Sequence, residues 1–152
     1  MMLIEVKTDF VNDGMILPEY AHKEDACVDL QANITKSLTL SFGEQKLIPT
    51  GLYVALPEGN DYFNWVLDIV SRSGLANKFG IVVVNQPGKI DSHFRGMIHV
   101  ILKNTKTDIF TVEPGMRIAQ MQLSKSYVIR WNEVSELDVT DRGAGGFGSS
   151  GN

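Results

Sequence analysis

The feature that most constrains this chain is its division into short apolar runs, which Gly, Pro, Asn and Asp interrupt at close intervals. No long window keeps an apolar stripe at the helical spacing i, i+3, i+4. Short runs rich in Val, Ile, Leu and aromatic residues are typical of β-strands, and a succession of them favours a β-sandwich, a jelly roll or a barrel. We therefore expect an all-β fold with one short helix near residues 73–78.

The predicted strands follow one another with turn residues between them. One of them, FGIVVVN at residues 79–85, is a continuous apolar run and predicts a buried strand. The next segment begins with an Asn-x-Pro-Gly turn and predicts a hairpin-like excursion over residues 85–96. The predicted strands are residues 3–7, 27–32, 34–41, 45–56 with an interruption near Pro49, 62–70, 79–85, 97–103, 109–112, 117–123 and 127–131.

Length and composition fit one globular domain. The chain has 152 residues, 43% of them hydrophobic and 21% charged, which allows a real core. A formal net charge of −4 argues against a broad nucleic-acid surface. No apolar run is long enough to span a membrane, and the start of the chain lacks a secretory signal. Because the single Cys27 suits a reducing compartment, we expect a cytoplasmic protein (or one in the host-cell interior, if viral) that binds neither nucleic acid nor a membrane.

The end of the chain is rich in glycine. The stretch RGAGGFGSSG, residues 142–151, contains five glycines, with Arg142 at its start and Phe147 in its middle. Composition alone leaves two interpretations open, a flexible linker or a lid that binds phosphate. Free amides, serine hydroxyls and an arginine are suitable phosphate donors, and a linker has no need of Arg142 or Phe147.

Two segments of the body combine charge with strand or helix signals. In DACVDL, residues 25–30, Asp29 lies inside a predicted strand, where its carboxylate is either exposed or buried with partners. In SRSGLANKFG, residues 71–80, Ser71 or Ser73 is a candidate cap of the predicted helix. Arg72 lies beside the helix start, so this segment is either an anion site or a plain strand-to-helix turn.

Two further segments place polar residues after turns. NQPGKIDSHFRG, residues 85–96, supplies an amide at Asn85, a carboxylate at Asp91 and an aromatic ring at Phe94. Asp91 is the best candidate for a general base in the chain, although an ordinary polar loop remains the alternative. In PGMRIAQMQL, residues 114–123, Arg117 and Gln120 are three positions apart, which strict strand alternation places on opposite faces.

In combination and order, these segments resemble the five motifs of the homotrimeric dUTPase family over nearly the whole chain. SRSGLA, NQPGKID, RIAQ and RGAGGFGSSG provide the likeness. The resemblance implies a jelly-roll fold and a homotrimer with active sites shared between subunits. It divides the chain into a catalytic domain, residues 1–135, and a flexible C-terminal arm, residues 136–152, which closes over an active site of the trimer.

The activity that the resemblance implies is that of a dUTP diphosphatase. Such an enzyme hydrolyses dUTP to dUMP and pyrophosphate by attack of water at the α-phosphorus, limits uracil incorporation into DNA and supplies dUMP for thymidylate synthesis. The implied catalytic residues are Asp91, which activates the water, Ser73, which contacts the oxygen leaving the α-phosphorus, and Arg72, which helps to orient Asp91. The implied cofactor is Mg²⁺, held by the three phosphates and by waters, with Asp29 near one of those waters.

The resemblance also implies which residues bind the substrate. Asn85 and the backbone around it recognise uracil, Phe94 packs on the deoxyribose, and Phe147 closes over the base. Arg142 contacts the γ-phosphate. The full implied set is Arg72, Ser73, Gly74, Asn85, Gly88, Ile90, Asp91, Phe94, Gln120, Arg142, Phe147, Gly148, Ser149 and Ser150.

The chain departs from the family pattern at four positions. Phe94 replaces a tyrosine, His93 and Met116 each replace an acidic residue, and Ser71 replaces a proline. Two rival functions compete with dUTP hydrolysis. A related dCTP deaminase needs a glutamate beside the pyrimidine, and none occurs between Asn85 and Lys103. A module in which nucleotide binding controls a partner protein remains open as a second role.

Overall fold

The computed structural model describes residues 2–146, and within them the fold is all-β with one short helix, as the sequence predicts. In chain order the elements are β1 (Glu5–Thr8), β2 (Val28–Gln31), β3 (Leu38–Leu40), β4 (Gln45–Pro49), β5 (Leu52–Ala55), β6 (Phe63–Ser71), α1 (Ser73–Phe79), β7 (Ile81–Val83), β8 (Gly88–Asp91), β9 (His99–Asn104), β10 (Phe110–Val112) and β11 (Arg117–Tyr127).

The strands pair into antiparallel sheets around one core. The largest sheet has the order β2-β11-β6-β8, a second has the order β4-β9-β7, and two ribbons pair β1 with β5 and β3 with β10. Most partners are distant in sequence, so the sheets form only when the whole chain folds back on itself. Most of the largest side chains that are shielded from solvent lie in the two larger sheets and in the β3–β10 ribbon, and one, Ile98, precedes β9. They are Leu30, Leu40, Ile48, Ile81, Ile98, Leu102 and Ile118.

The largest sheet has one apolar face and one polar face. The directly paired residues Leu67 and Leu123, and likewise Ile69 and Met121, contact the core. Successive side chains of a strand lie on opposite sides, so the residues between these point away from the core. We call this side the polar sheet face; by register its residues include Asp29, Asn64, Val66, Asp68, Lys89, Asp91, Gln120, Gln122 and Ser124.

The short helix α1 confirms the prediction for residues 73–78. It ends because Gly80 adopts φ 67°, a left-handed conformation that glycine tolerates, and its amide bonds the carbonyl of Ala76. Neither serine is its cap, however. Arg72 occupies the N-cap position, and its side chain makes no capping hydrogen bond to the helix. The Ser71 hydroxyl instead accepts a hydrogen bond from the amide of Val83.

Several predicted strands are shorter in the structure. The run at 79–85 forms a strand only at Ile81–Val83, because α1 extends to Phe79 and Gly80 turns the chain. Of the strand predicted at 34–41, only Leu38–Leu40 forms. The carbonyl of Ile34 accepts a hydrogen bond from the Asn12 side chain and so does not pair with a neighbouring strand. The interruption predicted near Pro49 is confirmed, and the turn there contains Gly51 with φ 72°.

Two other differences concern the largest sheet. The excursion at 85–96 contains the strand β8, because its backbone pairs with β6. The separate strand predicted at 127–131 is wrong: β11 runs without a break to Tyr127, and residues 128–146 contain neither helix nor strand.

Candidate active site

Asp29 lies between two arginines on the polar sheet face. Its Oδ1 accepts a hydrogen bond from Nε of Arg72 at 3.0 Å, and its Oδ2 accepts one from an Nη of Arg117 at 2.9 Å. A second Arg72 nitrogen donates to the carbonyl of Arg117 at 3.0 Å, which locks the two arginines together. Of the two interpretations left open for Asp29, the structure supports the partnered one, since the side chain is only 22% exposed.

A β-bulge brings Arg117 into this cluster. Arg117 pairs with Gln31 and Ala119 with Leu30, so β11 has one residue more than β2 between these pairs. Ile118 and Ala119 are both buried, which breaks the alternation of exposed and buried residues. The expectation that Arg117 and Gln120 lie on opposite faces is therefore wrong, because both approach Asp29, which pairs directly with Gln120.

The start of α1 lies beside the same cluster. Ser73 and Gly74 follow Arg72 immediately and are both exposed. A Cβ added at Gly74 would have no heavy atom within 4 Å, so the space over this turn is open to a ligand. One chain thus brings together five of the predicted site residues, namely Asp29, Arg72, Ser73, Gly74 and Gln120, and adds Arg117, which was noted in the sequence but not assigned to the site.

The predicted uracil segment forms a second group, around β8. Asn85 is exposed before the cis peptide between Gln86 and Pro87, and its side chain lies close to Gly88. A Cβ at Gly88 would lie 3.1 Å from the Asn85 amide nitrogen and 3.4 Å from Ile69, so glycine leaves room for that amide. Ile90, half-buried, packs against the core on the opposite side of the strand from the next residue, Asp91.

Asp91 and Phe94 lie at the far end of β8. Asp91 is exposed, and its carbonyl accepts the amide of Phe94 in a tight turn. Phe94 is 40% exposed as a residue, and its ring covers Gly96, where an added Cβ would lie 2.6 Å from the ring. Arg95 points back into this turn, because it donates to the carbonyls of Ser92 and Phe94.

Within one chain the two groups are separated along β6. Asp91 pairs with Val66, and Arg72 follows Val66 by six positions. At about 3.3 Å per strand residue, six positions span about 20 Å, well beyond the reach of an arginine side chain. In this chain the guanidinium of Arg72 therefore contacts Asp29, and it does not reach Asp91.

The tail is described only in part. Arg142 is exposed, and its Nε donates to the carbonyl of Gly145 within its own turn, 3.0 Å away. Phe147, Gly148, Ser149 and Ser150, which the sequence assigns to substrate binding, lie outside the described residues.

The electrostatics of the polar sheet face centre on Asp68, whose side chain is 9% exposed. Burial alone would raise the pKa of Asp68, but hydrogen bonds from Lys89 and Ser124 outweigh it and lower the pKa below its usual value.

Cys27 lies at the edge of this sheet and contacts the Gln122 side chain. Burial raises the pKa of its thiol, and the carboxylates of Asp25 and Asp29 add to the effect. A raised thiol pKa disfavours the thiolate, which is the nucleophilic form of cysteine.

Known proteins resemble this chain over its whole length. The family model described as dUTPase matches residues 13–151. A deoxyuridine 5'-triphosphate nucleotidohydrolase of Fusobacterium nucleatum is 43% identical over 151 residues, which is 99% of each chain. The protein of that name from Rickettsia bellii is 50% identical over 135 residues, 89% of this chain and 87% of its own.

Solved structures agree with this result. The dUTPase of Staphylococcus bacteriophage 80alpha with dUPNHPP is 27% identical and superposes on the whole of both chains with a TM-score of 0.82. A mutant dUTPase from phage phi11 of S. aureus is 21% identical, with a TM-score of 0.75 over 91% of this chain and 100% of its own, and supports the likeness of fold alone. That phage protein coordinates a structural Mg(II) ion.

The chain belongs to the dUTPase family. It is a hydrolase of the dUTP diphosphatase class, which converts dUTP to dUMP and pyrophosphate, and its fold is the all-β jelly roll of that family. Among residues 2–146 there is no helix of the length and apolar character that a membrane crossing requires.

Proposed function

We propose that this chain hydrolyses dUTP at sites that two or more copies of the chain build together. The observation on which this rests is the register of β6, which pairs Asp91 with Val66, six positions before Arg72; at the rise of a strand this is a separation of about 20 Å. A base that must activate water at the α-phosphorus and an arginine beside the phosphates have to lie within one substrate length of each other. A second copy can supply the missing half of each site, and a homotrimer is the assembly we propose.

The segment after β11 supports an assembly. Between residues 128 and 139 it exposes large apolar side chains: Ile129 is 68% exposed, Trp131 89%, Leu137 83% and Val139 97%. Such a run of exposed apolar groups is costly in water and is typical of a contact surface. We retain the division into a catalytic domain, residues 1–135, and an arm, residues 136–152, that reaches over a neighbouring site.

In the proposed mechanism Asp91 is the general base. Its carboxylate is exposed at the end of β8, so a water molecule can approach it. Asp91 takes a proton from this water, whose oxygen attacks the α-phosphorus in line with the leaving pyrophosphate. Ser73 of another copy contacts the leaving oxygen, and the Arg72 guanidinium of that copy stands next to Asp91.

The group around β8 suits the nucleoside. The exposed Asn85 amide, held beside the small Gly88, can pair with the edge of uracil. The backbone of β8 at Gly88 and Ile90 completes this proposed group, since the Ile90 side chain packs against the core. The Phe94 ring provides a flat apolar surface for the deoxyribose, where a 2′-hydroxyl would collide.

The other group suits the phosphates. Arg72, Ser73 and Gly74 offer a guanidinium, a hydroxyl and open space, and Gln120 adds an amide. Arg142 can move its charge to the γ-phosphate, since its present contact is a carbonyl of its own turn. Phe147 over the base, and the amides and hydroxyls of Gly148, Ser149 and Ser150 on the phosphates, complete the proposed set.

Mg²⁺ is the proposed cofactor, and the residues present fit an indirect contact with it. Both oxygens of Asp29 already accept hydrogen bonds from arginines, and no cluster of three or more metal-ligating side chains occurs within residues 2–146. Such a site suits an ion that is bound by the triphosphate and waters, with Asp29 bonding one of the waters. When bound, the ion neutralises charge that develops on the leaving pyrophosphate.

A direct test is to measure pyrophosphate release from dUTP, dCTP, dTTP and UTP with Mg²⁺. We expect release from dUTP at a rate at least about 100-fold above the other three. The base edge of dCTP has the wrong hydrogen-bond polarity, the methyl group of dTTP lacks room, and the 2′-hydroxyl of UTP would collide with the Phe94 ring. Equal release from dUTP and UTP would remove the sugar role of Phe94. A deaminated product from dCTP, seen by ultraviolet absorbance, would contradict hydrolysis as the reaction.

In the cell this reaction would limit uracil incorporation into DNA and supply dUMP for thymidylate synthesis. The free Cys27 fits the reducing interior of a cell, which is the compartment that we propose.

A further inference from the structure

The polar sheet face contains a buried charge that the proposed reaction does not use. Asp68, in the middle of β6, is 6% exposed as a residue. Its Oδ1 accepts a hydrogen bond from Nζ of Lys89 at 2.6 Å, and its Oδ2 accepts one from the Ser124 hydroxyl at 2.8 Å. A carboxylate fixed from two neighbouring strands has a defined position, and it determines where the lysine ammonium lies.

Lys89 is the cation of the described chain that lies closest in register to the proposed base. Lys89 and Asp91 are two positions apart on β8, so both side chains lie on the same face, about 7 Å apart at their Cα atoms. The flexible four-carbon stem of lysine can bridge this gap. Lys89 is 53% exposed, so its own surroundings do not prevent such a movement.

We propose that Asp68 is a positioning residue for catalysis, which holds the Lys89 ammonium against the sheet and so prevents it from pairing with Asp91. A base that is tied to a neighbouring ammonium is less available to a water molecule. Holding Lys89 aside also leaves room at Asp91 for the guanidinium of another copy. This inference rests on the proposed role of Asp91 as the base.

No other group near Asp91 on the described chain takes the place of the ion pair between Asp68 and Lys89. β6, the strand packed against β8, contributes Asn64, Val66 and Asp68 to this face, and of these only Asp68 is charged. Beyond β6, β11 contributes the neutral Gln122 and Ser124. In the turn after Asp91, His93 is exposed, and Arg95 is bonded to the carbonyls of Ser92 and Phe94.

The test is a double-mutant cycle on the full-length enzyme with dUTP and Mg²⁺. Asp68→Asn keeps the shape of the side chain but releases Lys89. We expect kcat to fall about tenfold with KM nearly unchanged, a fraction of what a positioned base contributes. The acid limb of the pH dependence of kcat should move to lower pH, because a cation beside a carboxylate favours its ionised form.

A second variant distinguishes a positioning role of Asp68 from a purely structural one. In Asp68→Asn/Lys89→Met the released cation is absent, so we expect kcat and the acid limb to return to within about twofold of wild type. Lys89→Met alone should also keep kcat near the wild-type value. If the double variant is as slow as Asp68→Asn, or if the pH profile of Asp68→Asn is unchanged, Asp68 only fastens the strands and the inference is wrong.

The controls keep this inference apart from the proposed function. Circular dichroism and thermal unfolding of each variant identify a folding defect, and in that case Lys89→Gln with Asp68→Asn replaces the methionine variant. If wild type does not release pyrophosphate from dUTP, the proposed function fails. If wild type is active and the cycle shows no rescue, only the role of Asp68 fails.

Discussion

At the scale of the residue, the chemistry depends on where carboxylates find their partners. Three aspartates on one sheet face have three different surroundings. Asp29 is bonded by two arginines, Asp68 is bonded by Lys89 and Ser124, and Asp91 is exposed at a strand end. Of these three, Asp91 is the one open to a water molecule, which is what a general base requires.

Asp91→Asn tests the base directly. We expect kcat to fall by about 10²-fold or more while nucleotide binding is retained, because the amide keeps the shape but cannot accept a proton. Turnover and the dissociation constant of a non-hydrolysable dUTP analogue are the two measurements. Near-normal turnover would remove Asp91 from this role, and lost binding would show that the substitution disturbed the site as a whole.

Asp68 should also make stability depend on pH. Its pKa is lowered in the folded state, so its contribution is complete above the unfolded value and is lost as pH falls through the lower folded value. We expect Asp68→Asn to lose about 1–2 kcal/mol at neutral pH, since Lys89 is half exposed and solvent screens its charge.

The measurement is urea unfolding of wild type and Asp68→Asn at one protein concentration. The difference in free energy of unfolding between wild type and Asp68→Asn should be constant from neutral pH down to about pH 5. It should become smaller below about pH 4. A difference that widens on acidification would mean that the ion pair does not stabilise the fold.

At the scale of the element, β6 and β11 organise the site. Their long antiparallel ladder fixes Arg72 at one end of β6 and the partner of Asp91 nearer its other end. The bulge at the start of β11 adds Arg117 to the cluster around Asp29. The candidate residues Asp29, Asp91 and Gln120 are therefore positioned by strands, which are more rigid than loops.

Removal of residues 142–152 tests the arm as an element. We expect a folded assembly with little activity, because the deletion removes Arg142 and the tail donors but leaves every described strand intact. The measurements are kcat/KM for dUTP, far-ultraviolet circular dichroism and sedimentation. A truncated enzyme of undiminished kcat/KM would mean that this stretch is only a linker.

At the scale of the whole molecule, the separation of Arg72 from Asp91 predicts active sites shared between copies. The Arg72→Ala and Asp91→Asn variants should each be nearly inactive. When the two are unfolded, mixed in equal amounts and refolded together, each shared site draws one residue from each of two copies. About a quarter of the sites, half times half, should then be intact and active.

The control is the same procedure on each variant alone, which should restore nothing. Sedimentation must first show that an assembly forms, and different tags on the two variants must show that they mix. Mixed assemblies without recovered activity would mean that each site belongs to a single chain.

The order of the residue types along the chain determined much of this protein. Short apolar runs between turn residues predicted the all-β fold, and SRSGLA, NQPGKID and RIAQ indicated which residues hold chemistry. These properties are local in sequence, so they can be read from it directly.

What only the tertiary structure decided depends on contacts between distant segments. The bulge that turns Arg117 toward Asp29, the contact of Asp68 with Lys89, and the distance from Arg72 to Asp91 all follow from the register of strands that lie far apart in the chain. Register is set when side chains of several strands pack together, and a shift by one residue would reverse the face of every side chain. No single segment contains that information.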